Sequence, residues 1–393
     1  MRVGIITYHS TVNFGSVLQV YALSRFLSEL GHDVCIIDYF LTASQSRKLF
    51  FSYVWETAGG MIYRNPFNFL RYVLDVLKQR VNKAARLKKE IRKQKEKRFA
   101  NYFAQFRKTH LKLTFKTYSS PDDLRNNPPD MDVYVAGSDQ IWGHGYTTFS
   151  PAYCLDFGKK EVRRISYAPS FGKSVIDKHW HDDLKRNISR FDAVSVREKS
   201  GVEIIEDICN VEATHALDPT LLLDDYSIIT ENRKNEDEFI FSYRLHQSDK
   251  LTILFGDLIK DISAECGLEV KTVSTTDDFT SQGEDLVVGV EGFLGLIAHS
   301  KMVITNSFHG TVFAILHRKP FICFPRDEGK QGQNARMIDL LSDLGLMSRY
   351  FDPHQESEIR KYINDDIDWS SVSERLAAKR KHSIDYLTNA LCV

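Results

Sequence analysis

Short apolar runs alternate with amphipathic stretches along most of the chain. The first run, RVGIITY, leads through the loop HSTVNFGS into VLQVYALSRFLSELG, where Val17, Val20, Tyr21, Leu23, Leu27 and Leu30 recur at helical spacing. Gly31 stands where a helix C-cap is expected, and DVCIIDY reads as a second strand. This strand–helix–strand succession predicts a right-handed crossover in a parallel sheet, with ligands at the carboxyl ends of the strands.

The rhythm breaks at residues 41–130, where aromatic-rich stretches (KLFFSYVW, MIYRNPFNFLRYVLDVL) precede a basic run. It resumes at MDVYVAGSDQIWG, RRISYAPSFG and FDAVSVREKSG, each an apolar strand running into a polar loop. A boundary is expected at ALDPTLLLDDYSIITENRKNEDE, where Asp-Pro and a charged stretch close the first half. Alternation then restarts: EFIFSYRL, a helix around KLTILFGDLIKDISAECG, the strand LEVKTV, the helix VEGFLGLIAHS, the strand KMVITNS, the helix GTVFAILHRK and the strand PFICFP. The pattern predicts an α/β, GT-B-like protein, two Rossmann-like domains whose parallel sheets face a central cleft. The expected divisions are 1–217 with its insertion at about 41–130, a linker at 218–238, a second domain at 239–370 and a terminal helix at 371–393.

Composition narrows the classes. Lysine plus arginine (52) balance aspartate plus glutamate (52), so no global field favours nucleic acid. The six cysteines form no C-x-x-C pair, which fits reduced thiols rather than a disulfide frame or a zinc site. His179 and His181 have H-x-H spacing but no evident third ligand, and no metal is expected. No apolar run approaches the roughly 20 residues of a membrane span. A cytoplasmic protein is expected. Residues 78–98 hold eleven Lys or Arg against two Glu, with Val81, Ala84, Ala85, Leu87 and Ile91 at helical spacing. Such a helix is either a solvated face or one that rests on anionic lipid at the inner face of the membrane.

The segment TNSFHG places His309 in the first turn of a helix capped by Asn306 or Ser307. A helix N-terminus attracts anions, and an imidazole there can serve proton transfer near neutral pH. A histidine that merely satisfies its own hydrogen bonds would look the same. Arg197 follows a strand end, where it can clamp a carboxylate or phosphate or pair with Glu198. Arg244 and one of Arg326, Lys330 and Arg336 are further anion-binding candidates. Asn13, Gly15 and Ser16 form the first βα loop, which lacks G-x-G-x-x-G, so a dinucleotide is disfavoured. Asp139 can orient or deprotonate a hydroxyl beside Gln140, Trp142 is a core residue or a sugar platform, and Ser166, Tyr167 and Ser170 offer hydroxyls.

The segments NFGSVLQVYAL, VAGSDQIW, ISYAPSFG, SVREKSG, LDPTLLL and TNSFHGTVFAI, in this order, resemble the polysaccharide pyruvyl transferase family. The resemblance implies a GT-B-like enzyme of capsular or exopolysaccharide synthesis that moves the enolpyruvyl group of phosphoenolpyruvate onto a saccharide precursor, leaving a pyruvate ketal. No cofactor is implied, and the acceptor can be carried on a polyprenyl diphosphate. His309 matches the family's acid at the donor. Arg197, Ser307, Gly310, Arg244, Lys330 and Arg336 are then donor-site candidates, and Asn13, Gly15, Ser16, Gln140 and Ser170 acceptor-site candidates. Family members often carry Arg-x-His at this helix start, whereas this chain has Ser307, Phe308, His309, so another cation, such as Arg336, has to stand in. A nucleotide-sugar glycosyltransferase and a non-catalytic saccharide-binding protein on the same fold are the alternatives.

Overall fold

The computed structural model describes residues 1–40, 83–143, 150–233, 237–245, 249–274, 283–326, 331–351 and 366–392. The first lobe is built on a parallel sheet of β1 (Arg2–Ile6), β2 (Asp33–Ile36), β3 (Val133–Ala136) and β4 (Arg163–Ser166), in the order β2-β1-β3-β4. A bridge from Ile165 to Ala193 carries it on to the parallel pair β5 (Ser195–Val196) and β6 (Thr214–His215). The second lobe holds β7 (Phe239–Arg244), β8 (Glu269–Ser274), β9 (Glu284–Leu286), β10 (Met302–Thr305) and β11 (Phe321–Cys323), in the order β11-β10-β7-β8-β9 and parallel throughout. These are the expected two Rossmann-like lobes.

Helix α1 (Phe14–Glu29) starts where the Asn13 side chain accepts from Ser16 N at 3.2 Å. It ends before Gly31, whose φ of +86° suits a residue without Cβ. Its N-terminal two and a half turns are buried on every side, because α1 lies between the lobes rather than at the surface. Phe14 stacks on Phe293 of α7 (Val290–His299) at 4.3 Å and 9°, and meets Tyr243 edge-on at 5.7 Å. One apolar cluster therefore runs from Val3 and Ile5 through Phe14 to Phe241 and Val303, with a further cluster in each lobe.

Within the insertion, α2 (Lys83–His110) docks by its later turns: Phe99, Phe103 and Phe106 are buried, Phe103 lying 4.9 Å from Phe14 and Phe106 5.8 Å from Tyr21. Of residues 90–98 before them all but Lys95 are exposed, and Ile91, expected on an apolar face, is 58% exposed. Lys95 reaches across to Asp285 at 2.7 Å. Residues 78–82 lie outside the described residues. No helix among the described residues is long and apolar enough to cross a membrane.

The first half of the stretch expected as a linker is packed. Asp218 and Thr220 are buried, and Leu221, Leu222, Tyr226 and Ile229 join the shared core. The last helix, α10 (Trp369–Leu391), returns to the first lobe. Tyr386 donates to Ser166 O at 2.9 Å, Leu217 N to Ser383 Oγ at 2.9 Å, Arg163 Nε to Ala390 O at 2.6 Å and Arg380 Nε to Leu221 O at 2.7 Å.

Candidate active site

The carboxyl ends of both sheets converge on one buried group of charges. From the second lobe, β10 ends at Thr305 and α8 (Phe308–Leu316) begins at once, capped by Ser307, whose Oγ accepts from Gly310 N at 3.3 Å. The tight entry requires glycine at 310, since a Cβ there would lie 2.6 Å from Thr305 Oγ1. His309, in the first turn, is thereby pushed across the interface onto the first lobe. Its ring covers Gly15, where a Cβ would sit 1.9 Å from His309 Nδ1.

His309 Nε2 lies 3.3 Å from Asp218 Oδ2 without a well-aligned hydrogen bond. Arg197, from the end of β5, donates Nη1 to the same oxygen at 2.7 Å, and Thr220 donates N and Oγ1 to Oδ1 at 3.0 and 2.7 Å. Burial opposes ionisation of Asp218, but His309, Arg197 and the Thr220 donors outweigh it and hold the carboxyl far below the ordinary carboxylate range. Asp218 is thus a fixed negative charge shared by an imidazole and a guanidinium. Burial likewise works against the Arg197 charge, but Asp218, Glu198 and Asp139 more than restore it.

Two guanidiniums flank the Phe308 ring, Arg197 at 5.3 Å and Arg336 of α9 (Gln331–Leu344) at 5.5 Å from its centroid. Burial, and then the charge of Arg197, push the Arg336 pKa down to about 10. Arg197 Nε and Nη2 and Arg336 Nε are buried without a hydrogen-bond partner among the described residues. Polar groups rarely stay unpaired in a folded interior unless a ligand or water completes them. Glu198, 3% exposed, accepts a short hydrogen bond from Ser170 Oγ and lies 4.0 Å from Arg197 Nε. Burial raises its pKa despite both arginines.

On the first-lobe side, Ser16 Oγ donates to Asp139 Oδ2 at 2.5 Å and Gln140 N to Oδ1 at 2.8 Å. Asp139 has a φ of +77°, a conformation that costs a non-glycine residue of order 1–3 kcal/mol and collects at functional sites. Gln140 is half-buried and packs against Gly172.

The structure therefore joins His309, Arg197, Arg336, Gly15, Ser16, Asp139 and Ser170, and adds Asp218, Glu198 and Phe308. Several expected residues are placed otherwise. Asn13 and Ser307 spend their side chains on helix caps. Arg244 is directed to Phe255, 5.4 Å from that ring, on the sheet face opposite Tyr243 and Phe14. Trp142 is fully buried against Phe171 and Phe191 and donates to Tyr153 O at 3.2 Å, which rules out stacking on a sugar. Ser166 and Tyr167 are enclosed at the end of β4, Ser166 donating to Ser195 O. His181 bonds Ile176 O and His179 packs on Trp180, and among the described residues no group of three or more His, Cys, Asp or Glu could hold a metal ion. Lys330 lies outside the described residues.

Two facing parallel α/β lobes with polar groups gathered at their strand ends define a GT-B-fold protein. One solved structure shares this fold. The UDP-GlcNAc 2-epimerase of Methanocaldococcus jannaschii superposes with a TM-score of 0.53 at 11% identity, over 99% of this chain and 100% of its own. A UDP-N-acetylglucosamine 2-epimerase of Rickettsia bellii gives 0.48 at 10% identity over 100% and 99%. An α-glucosyltransferase in complex with UDP and a 13-mer DNA gives 0.49 at 10% over 98% and 95%. At this identity only the first likeness speaks, and for the fold alone. No curated protein matches the chain. Residues 13–328 match the polysaccharide pyruvyl transferase family model, and the chain belongs to that family.

Proposed function

We propose that the protein transfers the pyruvyl group of phosphoenolpyruvate to two hydroxyls of a saccharide acceptor, forming a ketal and releasing phosphate. The observation that carries this reading is the His309–Asp218–Arg197 group at the lobe interface, beside guanidinium nitrogens that have no partner among the described residues. Phosphoenolpyruvate presents a carboxylate and a phosphate, which call for fixed cations, and an enol C3, which calls for a proton donor.

Arg197 and Arg336, 5.3 and 5.5 Å from the Phe308 ring, hold the two anionic groups. His309 delivers a proton to C3, leaving positive charge at C2, and Asp218 supplies the counter-charge that supports the protonated ring. An acceptor hydroxyl adds to C2 and gives up its proton, for which the Asp139 carboxylate is the first-lobe acceptor. The C2–O bond to phosphate then breaks, and a neighbouring hydroxyl closes the ketal. The two hydroxyl protons are balanced by one gained at C3 and one carried off with phosphate. Holding both hydroxyls near C2 is a task of positioning, which a site between two lobes is suited to perform.

Calorimetric titration with phosphoenolpyruvate, UDP-sugars and GDP-sugars tests the donor. Preferential binding of phosphoenolpyruvate, followed by ketal formation on a saccharide panel that His309→Ala abolishes, is expected. Preference for a nucleotide sugar would overturn the assignment in favour of glycosyl transfer.

A further inference from the structure

The charges at the site leave one acceptor and several donors unused. Arg197 Nε and Nη2 and Arg336 Nε are buried donors without partners among the described residues, and Glu198 Oε2 is a buried acceptor in the same condition. Arg197 Nε and Glu198 Oε1 stand 4.0 Å apart, beyond a hydrogen bond, although both are enclosed. An ionised Glu198 would repel any anion drawn in by the two arginines. A protonated Glu198 would turn Oε2 into a further donor beside the unused guanidinium nitrogens.

We propose that Glu198 enters ligand binding as the neutral acid, its Oε2 donating a hydrogen bond to the same anion that Arg197 holds. This deepens the reading of the pocket as the site of an anionic donor and rests on it. The surrounding contacts favour that state. Ser170 donates to Oε1, which leaves Oε2 as the position for the proton, and Gly172 N holds Ser170 Oγ in place at 3.0 Å. Asp339 of α9, which accepts from Lys199 N, adds negative charge nearby. Arg197 and Arg336 oppose protonation, yet burial outweighs them. The Lys199 ammonium is turned away to Asp343 at 2.7 Å, Asp139 and Asp218 support the charge of Arg197, and His309 lies against Asp218. A carboxylic acid kept neutral by an enclosed site so that it can donate is an established device.

The sign of the pH dependence follows. Binding that needs the protonated acid weakens as pH rises through the elevated pKa of Glu198, by up to about tenfold per pH unit for one linked proton. Phosphate ligands titrate too, a phosphate monoester with a second pKa of about 6 and inorganic phosphate higher, so the comparison has to be made against a variant. Calorimetry with inorganic phosphate and with phosphoenolpyruvate, from acid to alkaline pH and in buffers of different ionisation heat, would be run on the parent protein and on Glu198→Gln. The glutamine amide donates at every pH. The variant is expected to lose the steep alkaline decline and the proton linkage, and to bind about tenfold or more tightly than the parent at the alkaline end.

Parallel pH profiles for parent and variant, or failure of the parent to bind either anion, would overturn the role of Glu198. If phosphoenolpyruvate binds best but the profiles are parallel, the pyruvyl-transfer reading stands without Glu198. If the linkage is seen with phosphate but phosphoenolpyruvate gains nothing over it, Glu198 stands and the donor assignment falls. Should Glu198→Gln fail to fold, infrared difference spectra of the parent decide: a protonated-carboxyl band perturbed by phosphate supports the proposal, and a perturbed carboxylate alone defeats it.

Discussion

The imidazole of His309 rests on the α-carbon of Gly15, so that the chemistry-bearing helix of one lobe closes against the first helix of the other with no room for a methyl group. Gly15→Ala is therefore expected to cost stability even though alanine is the better helix former by about 1 kcal/mol. Overpacking of this kind costs about 1–3 kcal/mol, and the displaced ring should lower transfer by at least about a hundredfold. Thermal unfolding and transfer rates would check both; a variant as stable and active as the parent would show that the interface yields easily.

Asp218 ties His309 to Arg197. Substituting asparagine leaves the buried Arg197 cation without its main counter-charge, a change that costs about 3–5 kcal/mol when a buried pair is broken. The carboxyl is depressed, so its contribution is complete above the ordinary aspartate pKa of about 3.9 and is lost as pH falls below it. Urea melts of Asp218→Asn should accordingly lie far below the parent at pH 7 and approach it in acid. A constant gap across that range would contradict the assignment.

Arg336 carries a charge that Arg197 already disfavours. Arg336→Gln should then leave the fold as stable as the parent, or slightly more so, while anion affinity falls by about tenfold or more, the loss of a hydrogen bond to a charged group being about 1.5–3 kcal/mol. Stability and phosphate affinity measured on one preparation would show the two moving in different directions. An unchanged affinity would place the ligand elsewhere.

Phe14 is the point where both lobes and the inserted helix meet, stacked on Phe293 and packed by Tyr243, Phe99 and Phe103. Phe14→Ala is expected to destabilise by about 3–5 kcal/mol and to split the calorimetric transition as the lobes lose their shared core. A single sharp transition with an unchanged midpoint would argue against that coupling.

Local patterns carried much of this in the sequence. The period of α1, the helix start at His309 and the strand end at Arg197 are all written in a few consecutive residues. Asp218 was hidden because Asp-Pro followed by a charged stretch has the composition of a linker, whereas its role depends on contacts with β5 and α8, distant in the chain. A strand end alone does not say which face a side chain takes: Arg244 alternates with Tyr243, which packs on Phe14, and so lies buried against Phe255 on the opposite face of the sheet. Helix α9, which brings Arg336, starts in a polar stretch whose apolar period shows only from Met337 onward in Leu340, Leu341 and Leu344.

The return of α10 to the first lobe also bears on how the protein folds. Arg380 and Ser383 hold the backbone of Leu221 and Leu217 on either side of Asp218, and Tyr386 reaches the end of β4. The clasp on the Asp218 segment thus comes from side chains 159 and 166 positions further along the chain, beyond the whole second sheet. Contacts of such long range form late in folding, because loop closure has to be met first, so the surroundings of Asp218 belong to the slow part of the fold.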